Sequence, residues 1–377
     1  MKMKHQTMIY MLISLFLLSL FIINPKEDLD SVFAQDFDVI INPDDYPGSS
    51  DFERLQNALN DVPSTGATVL VPAKTYEGSN LKVPSNVRIV GMNGTVFKIS
   101  KDSTEPFIVI EGKSKVSIEN IIFDGNEEAI VNSYESLIFI DHGSSQILIF
   151  NNIFVNFKSI AIATKYSATS IFTRFIKIYK NKFYNGYGAA ILLRGYYACK
   201  TYFLEYVEIS QNTLDNLSVN GKIGVAFANV VNISDNLITS SEANLSGNIV
   251  VRGCKDVYVS NNSVVNCLAI AGIYIETNLL FPNAGMFIIE RNQVIREIGK
   301  GFSVIGSQGV DAIFILRRNF FTKNSGPDIE AIGVTIYVYG NTIDTPSDLL
   351  LSSTAIVSRN YFKLAEQSLS FILMRHR

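Results

Sequence analysis

The sequence predicts an all-β fold, a right-handed parallel β-helix of about ten or more coils with an N-terminal capping helix. Three observations support this prediction. The motif apolar-x-apolar-x-x-Asn recurs nine times, at intervals of 19 to 31 residues. The segments around each copy alternate apolar and polar residues and are rich in Ile, Val, Phe and Tyr, which is typical of strands. An amphipathic helical segment precedes the first coil.

Each copy of the motif reads as a short strand that ends in a corner, because alternation places both apolar side chains on one face. Asparagine tolerates the left-handed backbone of a sharp turn, so we expect it at the corner, stacked along the axis in a hydrogen-bonded ladder. An earlier copy, Val116–Asn120, fits if its asparagine comes one position early. A β-sandwich or propeller would not require a corner asparagine in every period. The nine asparagines are Asn152, Asn181, Asn212, Asn236, Asn262, Asn292, Asn319, Asn341 and Asn360.

The composition excludes several classes of protein. With 47% hydrophobic and 18% charged residues, the chain can bury a large core. A net charge of −3, with basic residues scattered along the chain, offers no basic surface for nucleic acid. Three widely spaced cysteines indicate neither a disulfide framework nor a zinc site, so we expect them to be small buried residues.

The N-terminal segment is typical of an export signal. Basic residues precede an apolar run, Met8–Ile23, and Val32-Phe33-Ala34 has the form of a cleavage site. We therefore expect a signal peptide over residues 1–34 and one secreted or cell-surface β-helix domain over residues 35–377. If the segment is not cleaved, it would instead serve as a membrane anchor, and only then is a membrane a partner.

Caps are expected at both ends, because an open solenoid exposes its core and unpaired strand edges. Ser50 and Glu53 have the spacing of a helix capping box, so we predict a capping helix over residues 50–62. Residues 364–377 are a candidate for the other cap. The apolar face of the predicted helix consists of Phe52, Leu55, Leu59 and Val62.

The first part of the chain resembles the pectate-lyase-like superfamily, particularly its sugar lyases, hydrolases and uronate epimerases. Five pieces between Asp51 and Asn126 carry the resemblance in order: DFERLQNALNDV, GATVLVPAKTY, LKVPSNVRIVG, VFKIS and VSIENIIFDGN. The resemblance implies the β-helix fold but no single activity, because this fold carries several chemistries and inert members. The catalytic motifs of pectin-type hydrolases and alginate epimerases are absent, and Asp141-His142-Gly143 is the nearest fragment.

Candidate site residues follow from the coil repeat, because outward side chains at equivalent strand positions stack about 4.8 Å apart. Arginine or lysine can hold a uronate carboxylate and can remove the proton beside it. We expect Arg194 or Lys165 to be the base or clamp, His142 a proton donor or acceptor, and Asp141 part of the same catalytic set. Arg252 and Glu276 would bind substrate, or would simply form a surface ion pair. The predicted outward row is Asp141, Lys165, Arg194, the neutral Ala228-Asn229, Arg252 and Glu276.

Two further groups are candidate ligand-binding residues. The acidic turn with Asp124, Glu127 and Glu128 could supply oxygen ligands for calcium, which some lyases of the resembling family use, or it is a solvated turn. No other cofactor is indicated. Tyrosines of the longest coil could form a platform for sugar rings around Arg194, although strand propensity alone also enriches tyrosine. The platform residues are Tyr187, Tyr196 and Tyr197.

The functional hypothesis is therefore a secreted β-helix protein that binds an acidic polysaccharide and could cleave it by elimination. Alternatives are a non-catalytic surface or adhesive protein, and a uronate epimerase or glycoside hydrolase of the same fold; whether the chain is an enzyme stays open. Hydrolysis is disfavoured because a glycosidase needs two carboxyl groups roughly 5 to 9.5 Å apart. The coil spacing puts Asp141 and Glu276 about 24 Å apart, and Glu276 and Glu330 about 10 Å apart.

Overall fold

Parallel strands arranged on three faces and joined by tight corners form the fold. The computed structural model describes residues 37–101, 103–126, 136–140, 143–164, 171–198, 201–218, 222–277, 285–295, 298–306, 312–344, 349–362, 367–369 and 372–374. The predicted signal peptide and its cleavage site lie outside these residues. Along the described residues, no helix has the length and apolar character that crossing a membrane requires.

Each turn of the chain visits face B, then face C, then face A. Faces A and B belong to one 23-stranded sheet, and face C to a 13-stranded sheet. Face A comprises β4 (Leu81–Lys82), β7 (Ile108–Ile110), β10 (Ser136–Ile140), β13 (Ile160–Thr164), β16 (Ile191–Arg194), β21 (Ile223–Ala226), β24 (Glu242–Arg252), β27 (Leu268–Glu276) and β30 (Ile298–Ile305). Face B comprises β2 (Ala67–Val71), β5 (Val87–Gly91), β8 (Ser114–Glu119), β11 (Ser145–Phe150), β14 (Arg174–Tyr179), β19 (Leu204–Ser210), β22 (Ala228–Ser234), β25 (Asp256–Ser260), β28 (Met286–Glu290) and β31 (Ile313–Arg317).

Face C is built from the shortest strands, which follow the asparagine corner. They are β3 (Thr75–Gly78), β6 (Val96–Ile99), β9 (Ile122–Asp124), β12 (Ile153–Val155), β15 (Lys182–Tyr184), β20 (Thr213–Asp215), β23 (Leu237–Thr239), β26 (Ser263–Val265), β29 (Gln293–Ile295), β32 (Phe320–Thr322), β34 (Thr342–Ile343) and β36 (Asn360–Phe362). Near the C-terminal end, β33 (Ile329–Tyr339) and β35 (Leu349–Ser358) each run through face A into face B. The parallel β-helix that the sequence predicts is confirmed.

The core runs along the axis as columns of inward side chains from successive coils. On face C, Phe123, Phe154 and Phe183 are fully buried and stack with centroid distances of 4.8 Å at each step. Their near-parallel rings follow directly from the coil spacing of parallel strands. Cys254 and Cys267 are free and buried, as expected of small core residues, whereas Cys199 lies outside the described residues.

The nine predicted asparagines form a continuous buried ladder, and none is more than 1% exposed. From Asn152 to Asn341, each side-chain Nδ2 donates to Oδ1 of the next asparagine at 2.9–3.2 Å. Each backbone N–H donates to the same oxygen at 2.9–3.0 Å. Nδ2 also donates to a carbonyl of the preceding coil, as Asn262 does to Ile233 at 2.9 Å. The ladder therefore satisfies buried backbone groups at every corner.

The prediction that the ladder asparagine itself has a left-handed backbone was wrong by one residue. The positive φ belongs to the residue before each ladder asparagine, for example Lys180 at 56° and Arg318 at 56°. The ladder side chain must point into the corner, so the outward residue before it makes the bend. The first copy of the motif, Val116–Asn120, has its asparagine one position early for the same reason. Asn120 is the left-handed residue of the corner, with φ of 60°, and Ile121 occupies the ladder position. The Ile121 N–H donates to Asn152 Oδ1 at 3.0 Å.

The N-terminal end is covered by helix α1 (Asp51–Asn60), which packs against β2, β3 and β4. Ser50 Oγ accepts from the Glu53 N–H at 3.1 Å, as predicted. The Glu53 carboxylate accepts from the N–H of Ser49 at 2.7 Å instead of that of Ser50, and the helix ends two residues earlier than expected. Before it lie β1 (Ile40–Ile41) and a 3₁₀ turn (Pro43–Asp45).

At the C-terminal end, two short strands lie within the range predicted as a cap. Strand β37 (Gln367–Leu369) pairs antiparallel with β36, and β38 (Ile372–Met374) pairs antiparallel with β35. Antiparallel pairing satisfies backbone groups that a further parallel coil would otherwise use. The remaining residues of the predicted cap lie outside the described ranges.

We predict that Asn262→Ala lowers the free energy of unfolding by about 3–5 kcal/mol, because it removes four buried hydrogen bonds. The Asn236 N–H and the Ile233 carbonyl each lose the bond to the Asn262 side chain, and Asn236 Nδ2 and Asn292 Oδ1 each lose one of two bonds. Urea unfolding followed by circular dichroism measures the change. The control is Asn261→Gly at the exposed neighbouring corner, where φ of 54° suits glycine and the expected change is within about 0.5 kcal/mol. Equal effects of the two substitutions would contradict the ladder's role.

Candidate functional site

A cleft of about 860 Å³ runs over face A from β4 to β24. Its floor is a row of residues that are in register from coil to coil, and its edges are formed by residues just before and after the strands. Seven strands contribute, so the cleft extends over six coil steps, about 29 Å. The row on the floor consists of Lys82, Val109, Phe139, Ala163, Leu192, Gly224 and Val250.

Apart from Lys82, this floor carries no charge. Val109, Ala163 and Val250 are buried, and Phe139 and Leu192 are partly exposed. Charged groups lie instead along the edges, where they face both solvent and the cleft. An apolar floor between charged edges suits a ligand with an apolar face and ionised substituents. The C–H faces and carboxylates of an acidic sugar have that combination.

The predicted charged row is present on face A for the residues that the structure describes. Arg194 is in register with Ala226, Ala226 with Arg252, and Arg252 with Glu276. The prediction placed Ala228-Asn229 at the neutral position of this row and was wrong by two residues, because Ala226 occupies that position. The chain bends at Phe227, where φ is 58°, so Ala228 and Asn229 already belong to β22 on face B.

Arg252 and Glu276 form the surface ion pair that was the alternative prediction for them. Nε and Oε2 are 3.2 Å apart, and the side chains are 46% and 39% exposed. The Arg252 guanidinium lies 5.6 Å from the Tyr274 ring centre, and the Tyr274 hydroxyl donates to Glu276 Oε2 at 3.5 Å. Exposed pairs of this kind contribute about 0–1 kcal/mol to stability. Arg252 lines the cleft, whereas Glu276 is outside the lining.

Arg194 is fixed through its backbone at the end of β16. Its N–H donates to Thr164 Oγ1 at 2.5 Å, and that hydroxyl donates to the Arg194 carbonyl at 2.9 Å. Among the ion pairs formed within the described residues, none involves the Arg194 guanidinium. Arg194 also lines the cleft.

Lys222, which sequence reasoning missed, lies directly before β21 and lines the cleft. Its half-buried position lowers the pKa of its ammonium group below the ordinary value of 10.5, and the positive charges of Arg252 and Arg194 lower it further. It escaped notice because it precedes the strand instead of occupying an outward strand position. The available signal was a lysine next to Ile223–Ala226, the one coil whose predicted row position is uncharged.

Two carboxylates at the other end of the cleft were also missed. Glu105 precedes β7 and Glu111 follows it, so the two flank the same three-residue strand, with Val109 between them on the floor. Both are exposed. They come from connecting segments, where the alternation used to predict the row no longer applies.

Several predicted site residues cannot be placed by the structure. Asp141, His142, Lys165, Glu127 and Glu128 lie outside the described residues, and only the backbone of Tyr197 is described, in β17 (Tyr197–Ala198), which pairs with β18 (Thr201–Tyr202). Their roles remain predictions.

Asp124, the remaining predicted calcium ligand, ends β9 on face C and is not part of the cleft lining. Its Oδ1 accepts from the Asn126 N–H at 2.9 Å and from Asn156 Nδ2 at 3.2 Å, as in an ordinary polar turn. Among the described residues, no group of three or more His, Cys, Asp or Glu side chains could hold a metal ion. Calcium binding remains a prediction.

The two tyrosines with described side chains lie at opposite ends of β16. Tyr187 precedes the strand and is 63% exposed. Tyr196 follows it and stacks on Phe203 with a centroid distance of 6.0 Å. Neither lines the cleft, so a sugar platform at these positions would lie beside the cleft and stays a prediction.

Comparison with known proteins agrees with this architecture. Residues 172–345 match the family model described as a right handed beta helix region. Among solved structures, the chain is similar to the exopolygalacturonase of Thermotoga maritima, with a TM-score of 0.55, 11% identity, and coverage of 89% of this chain and 96% of that one. It is also similar to the polygalacturonase of Erwinia carotovora, with a TM-score of 0.52, 10% identity, and coverage of 85% and 98%. No curated protein sequence matches the chain.

The chain is thus a right-handed parallel β-helix protein. This is the fold that the N-terminal resemblance implied. At 10–11% identity these likenesses establish the fold and no specific activity.

We predict that Lys222 loses its proton below pH 10.5, and that Arg194→Gln raises its pKa towards that value by removing one neighbouring positive charge. The pKa should stay below 10.5 in the variant, because burial, the largest cause, is unchanged. Competitive labelling of amines across a pH series, quantified by mass spectrometry, measures this shift. Arg174→Gln, on face B, is the matched control and should have no effect; an unchanged Lys222 pKa in Arg194→Gln would contradict the coupling.

Proposed function

We propose that the chain binds an acidic polysaccharide along the cleft of face A and cleaves it by β-elimination. The observation that carries this proposal is the grouping of a half-buried lysine of lowered pKa, Lys222, with the two guanidinium groups of Arg194 and Arg252. Elimination from a uronate requires a cation beside the carboxylate and a base for the adjacent C–H. The grouping offers both.

In the proposed reaction, Arg194 and Arg252 hold the uronate carboxylate and stabilise the negative charge that develops on it as the proton leaves. The neutral amine of Lys222 removes the proton from the carbon that bears the carboxylate. The electron pair of that C–H bond forms the new C=C bond, and the bond to the glycosidic oxygen on the neighbouring carbon breaks. The departing oxygen takes up a proton from solvent and Lys222 releases the abstracted proton to solvent, so the enzyme is restored and no water is consumed.

A lowered pKa suits Lys222 to the role of base, because a larger share of its amine is neutral at moderate pH. The sequence prediction gave the role of base or carboxylate clamp to Arg194 or Lys165. A guanidinium keeps its proton in proteins, so Arg194 is better suited to hold the carboxylate. The mechanism assigns no step to Lys165 or His142.

Hydrolysis is less well supported by the carboxylates considered from the sequence. Glu276 lies outside the cleft lining and is paired with Arg252. Glu330 is 5% exposed and accepts hydrogen bonds from Lys300 and Ser303, which leaves it no access to a glycosidic bond. The similar polygalacturonases support an acidic polysaccharide as the ligand class of this fold, while the choice of elimination rests on the charges of this chain.

We also propose that the chain acts outside the cytoplasm as residues 35–377, secreted or held at the cell surface, because the N-terminal segment has the form of an export signal. Intact-mass measurement of the exported protein tests cleavage after Ala34. Retention of the apolar segment would favour the membrane-anchored form instead.

We predict that the purified protein releases unsaturated uronate products from a polyuronate such as polygalacturonate or alginate, detected by the ultraviolet absorbance of the new C=C bond. Lys222→Ala should lower kcat by about 10²–10⁴-fold, the usual contribution of a general base. In the wild type, kcat should rise with pH until Lys222 is neutral and then level off. Assays with and without calcium in the buffer test the predicted cofactor.

The matched control is Lys255→Ala, which removes a surface lysine of face B that pairs with Asp256. It should leave kcat unchanged. Reducing ends without new absorbance would show hydrolysis and overturn the elimination mechanism. Binding that depends on Arg194, with no turnover on any polymer, would establish the alternative of a non-catalytic binding protein.

A further inference from the structure

Opposite charges lie at the two ends of the same cleft. Glu105 and Glu111 flank β7, near the end covered by α1, and Lys82 is the only cation among the described lining residues there. Arg194 and Lys222, with Arg252 beyond them, lie at the other end, on and beside β16, β21 and β24. The lining therefore changes from net negative to net positive along its length.

The coil spacing sets the distance between these ends. Strands β7 and β16 are three coil steps apart, about 14 Å, and β7 and β24 are five steps apart, about 24 Å. Both separations exceed the Debye length of about 8 Å at physiological ionic strength. The two ends thus act on a bound chain locally, each on the sugar residues next to it, and do not cancel one another.

From this charge polarity we infer that the cleft selects an acidic polysaccharide whose uronates are separated by uncharged sugars, over a uniform polyuronate. The inference rests on the proposed function, that the cleft holds a uronate at its cationic end. A sugar residue advances its chain by about one coil spacing, so a uniform polyuronate that reaches β7 brings carboxylates next to Glu105 and Glu111. An interrupted chain can place an uncharged sugar there and avoid the repulsion.

The experiment compares two hexasaccharides, a uniform oligogalacturonate and one built from alternating uronate and N-acetylhexosamine, by isothermal titration calorimetry. In the variant Glu105→Gln/Glu111→Gln, the affinity for the uniform hexasaccharide should rise about fivefold or more relative to the alternating one, since exposed charges interact with energies of this order. A uniform trisaccharide held at the cationic end does not reach β7. Its affinity should be the same in both proteins.

Glu77→Gln is the matched control, because Glu77 is an exposed carboxylate of face C outside the cleft lining. It should not change the ratio of the two affinities. An unchanged ratio in the double variant would overturn the inference. Lost turnover in the folded double variant would also overturn it, since the carboxylates would then belong to the catalytic machinery.

The same measurements separate this inference from the proposed function. If the trisaccharide binds and Arg194→Ala abolishes its binding, the cationic end holds a uronate, and an unchanged ratio then disproves only the selection along the cleft. If neither the trisaccharide nor the hexasaccharides bind, the proposed function itself fails.

Discussion

The hydrogen bonds of the asparagine ladder are the constraint on which the rest of the structure depends. Each ladder amide joins one corner to the corners before and after it, so every coil is held at one register relative to its neighbours. A slip of one residue would turn every side chain of a strand to the opposite face. With the register held, inward residues form continuous core columns and outward residues form continuous rows. A functional surface on this fold is therefore a set of rows.

The fold could be predicted from the sequence because the ladder needs an asparagine in every coil, and this repetition makes the short apolar-x-apolar-x-x-Asn motif recognisable. The sequence also placed Arg194, Arg252 and Glu276 in one row, since alternation within strands fixes which side chains point outward. The position of the left-handed residue was wrong because the pattern identifies the corner without showing which of its residues bends. Asn120 and Ile121 show the distinction, as the asparagine bends and the isoleucine takes the ladder position.

The cleft edges could not be predicted in the same way. Lys222, Glu105 and Glu111 lie in the segments that join the strands, and those segments vary in length from coil to coil. No period relates a residue in one connection to a residue in the next, so their meeting along one cleft becomes visible only in three dimensions. The pKa of Lys222 was equally hidden, because it depends on burial and on two arginines from other coils.

Ion pairs between adjacent coils occur on both outward faces, and on face A they include Arg252 with Glu276 and Lys300 with Glu330. The cationic end of the cleft departs from this pattern, because it groups Lys222 with two arginines. On face B, cations and carboxylates of adjacent coils neutralise one another, as Lys177 does with Glu208 at 3.6 Å and Arg317 with Glu290 at 2.5 Å. Such pairing arises readily in a stacked fold, because side chains at equivalent outward positions of adjacent coils lie next to each other. At the cationic end of the cleft, Ala226 stands between the positions of Arg194 and Arg252, and Glu276, which pairs with Arg252, lies outside the lining. Like charges grouped in this way repel one another, and the uronate of the proposed substrate would offset that repulsion.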